Sequence, residues 1–573
     1  MEKIKKLKKN FKYFNIDGYI VPKNDKFFGE YVSSNNDHLK YISNFSGSSG
    51  FAIILKNNNY IFVDGRYTIQ ADIECSRNYR ICNIPSEYPF KIFGKKKLII
   101  GFDPRLHTEN SLKKIFFKSK IKLMPVEENL INKTWKRKKN HKILPFYLLK
   151  KKDVGENLNK KISKLKKIIK SNKIDYSLIT ASENIAWLLN IRGSDTEYSP
   201  LPHSHALVES NGRISLFCNL NQIKKSLKSS LREKVKIYDF DLLSAVILKI
   251  FNKRIQIDNL TCSIFLKKLI EKNNIISKTV DPIYYLKSLK NRTEIKNIMK
   301  CHLYDGSALT KFIFWLKNNY SKNRITEIDA QKKLLEFRKK NKSFKFLSFP
   351  TISGSGPNSA IIHYKASEKS NRVLKRRDIY LVDSGGQYSF GTTDVTRTLS
   401  LANNNNKIKD IFTRVLKGHI AVANYNLKKD STGNKIDLAA RSALKKINLD
   451  YPHGTGHGVG YFLNVHEGPQ SISRGNEIKF KEGMVTSNEP GFYKKNHFGI
   501  RIENLIYVKK IKKKINFENL TLVPIEKKLI DKNLLNSVEI KWINKYHASV
   551  FKNLKRFMNK IELTQLKDAC SNI

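Results

Sequence analysis

The chain has 573 residues, of which 40% are hydrophobic and 11% aromatic, so it can build hydrophobic cores and is not intrinsically disordered. A chain of this length is expected to form roughly two to four domains. Lysine and arginine outnumber aspartate and glutamate by 108 to 50, a net charge of +58. Because the lysines are spread along the whole chain, without interleaved aromatic residues or a nucleic-acid motif, we interpret the charge as compositional bias and expect no specific nucleic-acid partner.

Cysteine usage and hydropathy indicate the cellular compartment. The six cysteines form no CxxC pair and no dense framework, which favours reduced thiols. The N-terminal stretch is basic but lacks a continuous apolar segment, so it does not resemble a signal peptide. No run of about eighteen apolar residues occurs, so no membrane span is expected. These features predict a soluble cytoplasmic protein without a membrane partner.

Residues 1–140 alternate helical and extended patterns, which predicts a first α/β domain. Apolar residues at helical spacing predict a helix at its start. Two apolar runs, 51–55 and 60–63, predict a hairpin across a Lys-Asn-Asn-Asn turn. A basic, weakly periodic stretch over 128–155 predicts a linker. Further strands are predicted over 18–21 and 98–101.

Residues 141–290 repeat this order of elements, which predicts a second α/β domain and suggests a duplicated pair. A helix is predicted over 158–171 and a strand over 176–179. The dipeptide Asn211-Gly212, flanked by apolar runs, predicts a β-hairpin.

Residues 291–573 are predicted to form a third, α+β domain with a C-terminal extension from about 510. Thr293 is a candidate N-cap for a long helix that runs to Leu316. Strands dominate from 347 to 508. The further elements predicted in this domain are helices over 327–339, 407–424, 437–447 and 536–558, and a strand over 520–523.

Two aspartates in the third domain are candidates for a metal site. An apolar run ends in Asp383, and a second extended run carries Asp394, Thr396 and Thr398 on one face by period-two alternation. A hairpin would bring the two carboxylates together, and a buried carboxylate is costly unless it is paired or bound to a metal. Alternatively, Asp383 caps a turn and Asp394 faces solvent.

Further polar residues lie beside predicted strands of the same domain, one of which is an apolar strand over 361–364. Glu489 follows the predicted strand 483–486, and Arg501 and Glu503 share one face by alternation. Each of these residues has an ordinary structural explanation when taken alone, since a single histidine beside a strand is most often satisfied by a hydrogen bond. The histidines in question are His363, His453, His457 and His466.

Together, five of these residues resemble the ligand signature of the pita-bread metallopeptidase family M24, which includes methionine aminopeptidase, prolidase, aminopeptidase P and creatinase. Four carboxylates and one imidazole suit two hard divalent ions, Mn²⁺ first, with Co²⁺ and Zn²⁺ as alternatives. Two such ions can share a water molecule and lower its pKa. The five residues are Asp383, Asp394, His457, Glu489 and Glu503.

The resemblance also implies individual roles for these five residues. It implies that Asp394 and Glu503 bridge both ions, that Asp383 binds one ion, and that His457 and Glu489 bind the other. Glu489 would also act as the general base that takes a proton from the water.

Residues around the five ligands match the family as well. His363 and His466 resemble the pair that shapes the substrate site and stabilises charge at the scissile carbonyl. His453 resembles a histidine that lines the proline pocket. Arg501 resembles an arginine that supports the metal carboxylates, which is compatible with a structural ion pair. Arg66 resembles a residue that reaches the substrate from the N-terminal domain, of this or a partner subunit; a structural arginine is the alternative.

The resemblance is closest to the three-domain Xaa-Pro aminopeptidases. It implies two creatinase-like N-terminal α/β domains before a pita-bread catalytic domain, a homodimer, and a metal-activated water that hydrolyses the N-terminal Xaa-Pro bond of peptides. Proline at the second position lacks the N–H that ordinary peptidases use. The stretches 131–155 and 196–202 depart from the family pattern. The matching segments are 17–31, 63–71, 101–108, 185–195, 347–364 and 518–531.

Two other functions stay open on the sequence. A prolidase would perform the same chemistry on Xaa-Pro dipeptides only. A catalytically inactive binding protein is the second alternative, because fold alone does not fix function. Such proteins typically lack part of the ligand set, whereas all five residue types are present in this chain.

Overall fold

The computed structural model divides into two compact units. The first unit comprises Met1–Lys151 and Glu156–Tyr284, and the second comprises Lys152–Gly155 and Tyr285–Ile573. The linker predicted over 128–155 lies partly outside the described residues, and the predicted domain boundaries stay predictions. The residues that the structure describes are 2–137, 143–402, 405–428, 431–512 and 514–573.

Helices occur in both units, and α13 is the longest. None of the helices in the described ranges is both long and apolar enough to cross a membrane. The helices are α1 (Glu2–Tyr13), α2 (His38–Ser43), α3 (Thr68–Glu74), α4 (Pro89–Phe93), α5 (Glu109–Ile115), α6 (Lys151–Val154), α7 (Leu158–Ser171), α8 (Ser182–Leu189), α9 (Lys225–Leu231), α10 (Leu243–Leu248), α11 (Ile264–Glu271), α12 (Pro282–Ser288), α13 (Arg292–Asn319), α14 (Glu327–Lys339), α15 (Asn406–Ala423), α16 (Gly433–Lys445), α17 (Ser537–Leu554) and α18 (Lys560–Ala569).

Strands form two large sheets in the first unit and several smaller sheets in the second. The strands are β1 (Gly18–Pro22), β2 (Phe51–Leu55), β3 (Asn59–Asp64), β4 (Arg80–Ile84), β5 (Ile99–Phe102), β6 (Lys122–Pro125), β7 (Tyr147–Leu148), β8 (Tyr176–Ile179), β9 (Ile191–Arg192), β10 (Ser204–Glu209), β11 (Ile214–Cys218), β12 (Val235–Asp239), β13 (Arg254–Ile257), β14 (Ile275–Lys278), β15 (Phe344–Leu347), β16 (Ile352–Ser355), β17 (Ile379–Ser384), β18 (Gly386–Tyr388), β19 (Gly391–Thr392), β20 (Val395–Ser400), β21 (Gly456–Gly458), β22 (Glu467–Ile472), β23 (Val485–Asn488), β24 (Gly491–Lys494), β25 (Phe498–Arg501), β26 (Asn504–Ile511) and β27 (Lys514–Asn519).

The two six-stranded sheets of the first unit have the same topology. Their strand orders are β4-β3-β2-β1-β5-β6 and β12-β11-β10-β8-β13-β14. Corresponding neighbours also run in the same relative directions, with two antiparallel pairs in the middle of each sheet and parallel pairs around them. This shared topology agrees with the duplicated order of elements seen in the sequence. Both predicted hairpins, β2–β3 and β10–β11, are confirmed.

The second unit positions polar residues at the ends and turns of short strands. One sheet has the order β16-β17-β20, and another has the order β22-β21-β23-β26-β27, while β24 and β25 form a hairpin. Antiparallel pairing places Asp383 on β17 opposite Thr396 on β20. Helices α13 to α17 bury apolar side chains against these strands, and the core includes Leu309, Val382 and Ile500. The strands that carry the candidate residues are therefore held by a continuous core.

Three local predictions for the second unit are wrong. Asn291, not Thr293, caps α13, and its side chain forms a capping box with Glu294. The predicted strand over 520–523 is absent, because side chains satisfy its backbone: Arg397 Nη2 donates to the carbonyl of Val523 (2.8 Å). The segment 361–364 is a turn after a short 3₁₀ helix rather than a strand. The helix predicted over 327–339 coincides with α14.

Candidate metal centre

Five acidic and imidazole side chains that the sequence singled out converge in the second unit. Ligand atoms of Asp383, Asp394 and Glu503 all lie within 4.8 Å of one another, and so do those of His457, Glu489 and Glu503. A third group at the same spacing joins Asp394, His457 and His466. The structure therefore brings together residues from four separate stretches of the chain.

The three carboxylates of the first group come from the turns around β17, β20 and β26. Asp383 is the next-to-last residue of β17, Asp394 immediately precedes β20, and Glu503 immediately precedes β26. Gly385 allows β17 to approach this turn closely, since a Cβ there would lie 1.9 Å from the carbonyl oxygen of Thr393. A larger residue at 385 would therefore displace the loop that carries Asp394.

His457 and Glu489 lie in and beside the sheet β22-β21-β23-β26-β27, which Glu503 also adjoins. His457 is the middle residue of β21, and Glu489 follows β23 directly. The imidazole Nε2 of His457 lies 3.4 Å from a carboxylate oxygen of Asp394 and 3.4 Å from one of Glu489. Gly456 permits this close packing, because a Cβ there would lie 2.0 Å from the carbonyl oxygen of Ser487. The glycine-rich sequence around His457 thus serves close backbone approach.

Hydrogen bonds orient the ligand atoms. The Nδ1 atom of His457 lies 3.0 Å from the carbonyl oxygen of Gly458, so Nε2 faces the carboxylates with its lone pair available when Nδ1 carries the proton. Ser487 Oγ donates to Glu489 Oε1 (3.1 Å), and Thr396 Oγ1 donates to Glu503 Oε2 (2.9 Å). These hydrogen bonds hold the Glu489 and Glu503 carboxylates from outside the cluster, so their other oxygens face its centre.

The crowding of like charges shifts the acid–base properties of the cluster. Burial, opposed by Arg501 and assisted by Asp394, raises the pKa of Asp383 to about 6. Burial and the carboxylates of Asp394 and Glu489 raise the pKa of Glu503 well above its ordinary value. Burial alone would lower the pKa of His457, but Asp394 and Glu489 outweigh it and raise this pKa to about 9. Without a cation, the cluster holds protons that a metal ion would displace.

The donor set fits divalent metal ions. Asp383 Oδ1 and Asp394 Oδ1 are buried and have no hydrogen-bond partner in the described chain. Burying a carboxylate oxygen without a partner is unfavourable, and an oxygen-rich set with one imidazole is typical of sites for hard divalent ions. The incomplete satisfaction of these atoms is the physical reason to assign a metal centre here.

A chain of hydrogen bonds connects the carboxylates to His453. Arg501 Nη2 donates to Asp383 Oδ2 (2.7 Å), and Arg501 Nη1 donates to the hydroxyl oxygen of Tyr493 (2.6 Å). The Tyr493 hydroxyl lies 2.8 Å from His453 Nε2. Burial lowers the pKa of His453 to about 4, so its ring is neutral and accepts the tyrosine proton at Nε2.

The remaining predicted residues lie in different surroundings. The rings of His466 and His457 are 4.3 Å apart in an edge-to-face arrangement. His363 follows Ile362, whose carbonyl oxygen accepts a hydrogen bond from Arg501 Nη2 (3.4 Å). Arg66 belongs to the first unit, where its guanidinium pairs with both oxygens of Asp64 (2.9 and 2.8 Å). Its role toward a substrate stays a prediction.

Sequence reasoning missed Tyr493, Ser487 and the anchoring of the loop that carries His453. Tyr493 lies on β24 next to a turn and had no spacing signal of its own. Arg441 of α16 donates to the carbonyl oxygens of Tyr451 (2.8 Å) and His453 (2.5 Å), and it pairs with Asp437 (2.8 Å). An arginine four residues after an aspartate on a helix normally indicates a local ion pair. The sequence therefore does not indicate that Arg441 also donates to the carbonyl oxygens of the loop.

Comparison with protein families gives matches along nearly the whole chain. Residues 296–510 match the model of metallopeptidase family M24, and residues 513–573 match the C-terminal region of peptidase M24. Residues 3–133 and 137–294 match two models of the creatinase/prolidase N-terminal domain. These matches confirm the predicted fold class, two creatinase-like α/β domains followed by a pita-bread α+β catalytic domain.

Several curated proteins are similar to this chain over nearly their full length. "Xaa-Pro aminopeptidase 1" of Dictyostelium discoideum is 35% identical over 594 residues, which cover 98% of this chain and 94% of that protein. "Probable Xaa-Pro aminopeptidase P" of Coprinopsis cinerea is 34% identical over 585 residues, which cover 96% of this chain and 94% of that protein.

Solved structures give the same picture. The X-prolyl aminopeptidase of Caenorhabditis elegans, described as a cytosolic enzyme with a di-nuclear active site, superposes with a TM-score of 0.94 at 31% identity and covers 100% of this chain and 99% of its own. The prolidase of Pyrococcus horikoshii gives a TM-score of 0.53 at 27% identity and covers 64% of this chain and 99% of its own.

Proposed function

Because the chain belongs to metallopeptidase family M24, we propose that it is an Xaa-Pro aminopeptidase, which hydrolyses the N-terminal peptide bond of peptides whose second residue is proline. The observation that carries this proposal is the convergence of five donor residues in a catalytic unit whose relatives of similar length are Xaa-Pro aminopeptidases. All five residue types of the resemblance are present, which argues against an inactive binding protein.

We further propose how the site would hold two divalent ions. Asp394 and Glu503 would bridge both ions, Asp383 would bind one, and His457 with Glu489 would bind the other. Mn²⁺ is the proposed metal, because four carboxylates form an oxygen-rich set that suits hard ions, with Co²⁺ and Zn²⁺ as alternatives. When bound, two such ions supply Lewis acidity and lower the pKa of water.

Glu489 is the proposed general base. Burial alone would raise its pKa, but the positive charges of His457 and Arg501 outweigh burial and lower it, so the carboxylate is ionised at neutral pH. Ser487 Oγ donates to its Oε1 (3.1 Å) and holds the side chain in place. An ionised, oriented carboxylate can accept a proton from water and later deliver it to the departing proline nitrogen.

Three histidines are proposed to receive the peptide. His363 and His466 would donate hydrogen bonds to the scissile carbonyl oxygen as negative charge develops on it. His453, which is neutral because burial lowers its pKa to about 4, would line the proline pocket without adding charge. Arg501 would keep Asp383 and Tyr493 in position, since it donates to both.

Proline is the selective feature of the substrate. A proline nitrogen carries no hydrogen, so a site that does not require an N–H donor at the second position accepts such peptides. Arg66 is proposed to contact the peptide from an N-terminal domain. We also propose a cytoplasmic location and a homodimer; both rest on resemblance.

The proposal is tested by the products released from matched peptides. Metal-stripped protein is incubated with Mn²⁺ and with Xaa-Pro-Xaa, Xaa-Ala-Xaa, N-acetylated Xaa-Pro-Xaa or the dipeptide Xaa-Pro. We expect metal-dependent release of the first residue alone. This release should be fast only for the Xaa-Pro-Xaa tripeptide with a free N-terminus, and not for the other three peptides. Cleavage confined to the dipeptide would instead identify a prolidase, a function that the similarity to the Pyrococcus enzyme keeps as the second candidate. No turnover with any divalent ion would leave a binding protein.

A further inference from the structure

We propose that Glu327 is a positioning residue for His363, acting through Tyr364 and the loop 356–373 that carries both residues. This inference rests on the proposed function, because it concerns the histidine that would stabilise the scissile carbonyl. Glu327 is the first residue of α14 and lies outside the five-ligand cluster. No motif in the sequence pointed to it.

The carboxylate of Glu327 collects hydrogen bonds from several points along one loop. Oε1 accepts the backbone N–H of Ser355 (2.7 Å), and Oε2 accepts the hydroxyl of Tyr364 (2.7 Å) and the backbone N–H of Arg372 (3.0 Å). The side-chain amide of Asn358 donates to both oxygens (3.1 and 3.0 Å). One side chain thus ties the last residue of β16 and three residues of the loop to the start of α14.

The Glu327 carboxylate is fully buried, and the hydrogen-bond donors that contact it are neutral groups. Its exposed fraction is 0%, and burial raises its pKa, although these donors oppose that effect. Its place in the first helical turn adds a favourable interaction with the helix dipole. A buried carboxylate with this many donors is costly to lose, because each donor would then lack a partner. The arrangement therefore favours one loop conformation over others.

Tyr364 transmits this restraint to His363, its neighbour in the chain. The Tyr364 side chain is 5% exposed, and its hydroxyl group contacts Glu327, Asn358 (2.8 Å) and the carbonyl oxygen of Ser370 (2.9 Å). It therefore points into the loop and not toward a substrate. His363 itself is only half-buried.

The residue that precedes His363 is held by Arg501, which also contacts the candidate metal centre. The carbonyl oxygen of Ile362 accepts a hydrogen bond from Arg501 Nη2 (3.4 Å), and Arg501 also donates to Asp383. His363 thus lies between two anchors, Arg501 through Ile362 and Glu327 through Tyr364. Release of the second anchor would let the imidazole move relative to the carboxylates without disturbing them.

The test removes one hydroxyl group and compares it with a matched hydroxyl nearby. Tyr364→Phe deletes the contact to Glu327. The control, Tyr380→Phe, deletes another buried tyrosine hydroxyl, which lies 2.7 Å from Ser353 Oγ and forms no hydrogen bond with residues 356–373 of the described chain. We expect Tyr364→Phe to lower kcat about 10- to 100-fold, with KM and Mn²⁺ affinity within about twofold, since small misplacements of catalytic groups have effects of this size. Tyr380→Phe should leave kcat unchanged.

A double-mutant cycle separates positioning from general weakening of the fold. If Tyr364 acts through His363, then Tyr364→Phe introduced into a His363→Ala background should lower kcat by less than about twofold further, because the group being positioned is gone. Equal fold-losses in both backgrounds, or an unchanged kcat in the single variant, would overturn the inference. Should Tyr364→Phe fail to fold, Glu327→Gln, which retains shape but not charge, gives the same comparison.

The two proposals fail in different ways in this experiment. Wild-type protein is assayed first with Mn²⁺ and an Xaa-Pro-Xaa tripeptide, and absence of turnover there overturns the proposed function and this inference with it. Turnover by the wild type, combined with unchanged kcat in Tyr364→Phe, overturns the inference alone.

Discussion

Two groups of buried carboxylates in the second unit differ in how completely they are satisfied. Asp305 accepts hydrogen bonds from Arg338 on both oxygens (2.8 and 3.1 Å) and from the hydroxyl of Tyr388 (2.9 Å). At the candidate metal centre, by contrast, Asp383 Oδ1 and Asp394 Oδ1 have no hydrogen-bond partner in the described chain. Protein donors therefore satisfy both oxygens of Asp305, whereas one oxygen of Asp383 and one of Asp394 have no protein donor in the described chain. The carboxylates of the candidate metal centre are therefore suited to a ligand that is not part of the polypeptide.

The largest expected effect is loss of turnover in Glu489→Gln. The amide cannot accept a proton from water, so we expect kcat to fall by about 10²- to 10⁴-fold, the usual range for removal of a general base. Tripeptide hydrolysis by metal-loaded protein measures this effect. Activity within tenfold of the wild type would show that another group serves as the base.

Asp305→Asn tests how much the hydrogen-bonded Asp305 carboxylate contributes to stability. Removal of one charge leaves Arg338, which is 0% exposed, without its counter-ion, so we expect the free energy of unfolding to fall by about 3–5 kcal/mol. Chemical denaturation with and without Mn²⁺ measures it. The loss should be the same in both conditions, and a loss that metal reverses would place Asp305 in the metal centre.

Metal binding should stabilise the protein through the incomplete group. At a free Mn²⁺ concentration about 100 times the dissociation constant, the gain is about 2.7 kcal/mol for one site. Thermal unfolding should therefore shift upward on addition of Mn²⁺ in the wild type and in Asp305→Asn. In Asp394→Asn the shift should largely disappear, because this variant loses a proposed bridging ligand. An unchanged shift in Asp394→Asn would contradict its assignment.

The smallest expected effect concerns His547, a buried histidine outside the candidate metal centre. His547 Nε2 accepts the backbone N–H of Ile525 (3.1 Å), and burial lowers its pKa to about 4. A histidine with a lowered pKa stabilises the fold fully above the unfolded value of about 6.5, and this contribution is lost as pH falls toward the folded value. Between pH 6.5 and 5.5 we expect a loss of about 1 kcal/mol from this group. Denaturation of His547→Gln over this range should show a shallower dependence on pH, and an unchanged slope would contradict the assignment.

Much of the fold could be predicted from the sequence, because local patterns dominate in the elements concerned. Apolar runs on either side of turn residues predicted the hairpins, and the helical pattern over 327–339 predicted α14. The predicted strand at 520–523 is absent, because Arg397 and Tyr546, which are distant in the sequence, form hydrogen bonds with the carbonyl oxygen of Val523. Such long-range side-chain contacts leave no local pattern.

The residues of the candidate site could also be predicted only in part from the sequence. The five proposed ligands were found because chemically distinctive residues recur in a fixed order in the family. Tyr493, Glu327 and Arg441 were missed, because each acts by touching other side chains or backbone atoms far along the chain. Their residue types are common in ordinary turns and helix starts, so spacing alone does not distinguish them.

The most direct test of the central claim is a titration of metal-free protein with Mn²⁺ while release of the first residue from an Xaa-Pro-Xaa peptide is followed. We expect no turnover without metal and a rate that reaches its maximum at two equivalents of bound ion. We also expect Glu489→Gln to remain inactive at every metal concentration. Full activity in the presence of excess chelator would contradict the claim that these carboxylates form the catalytic metal centre.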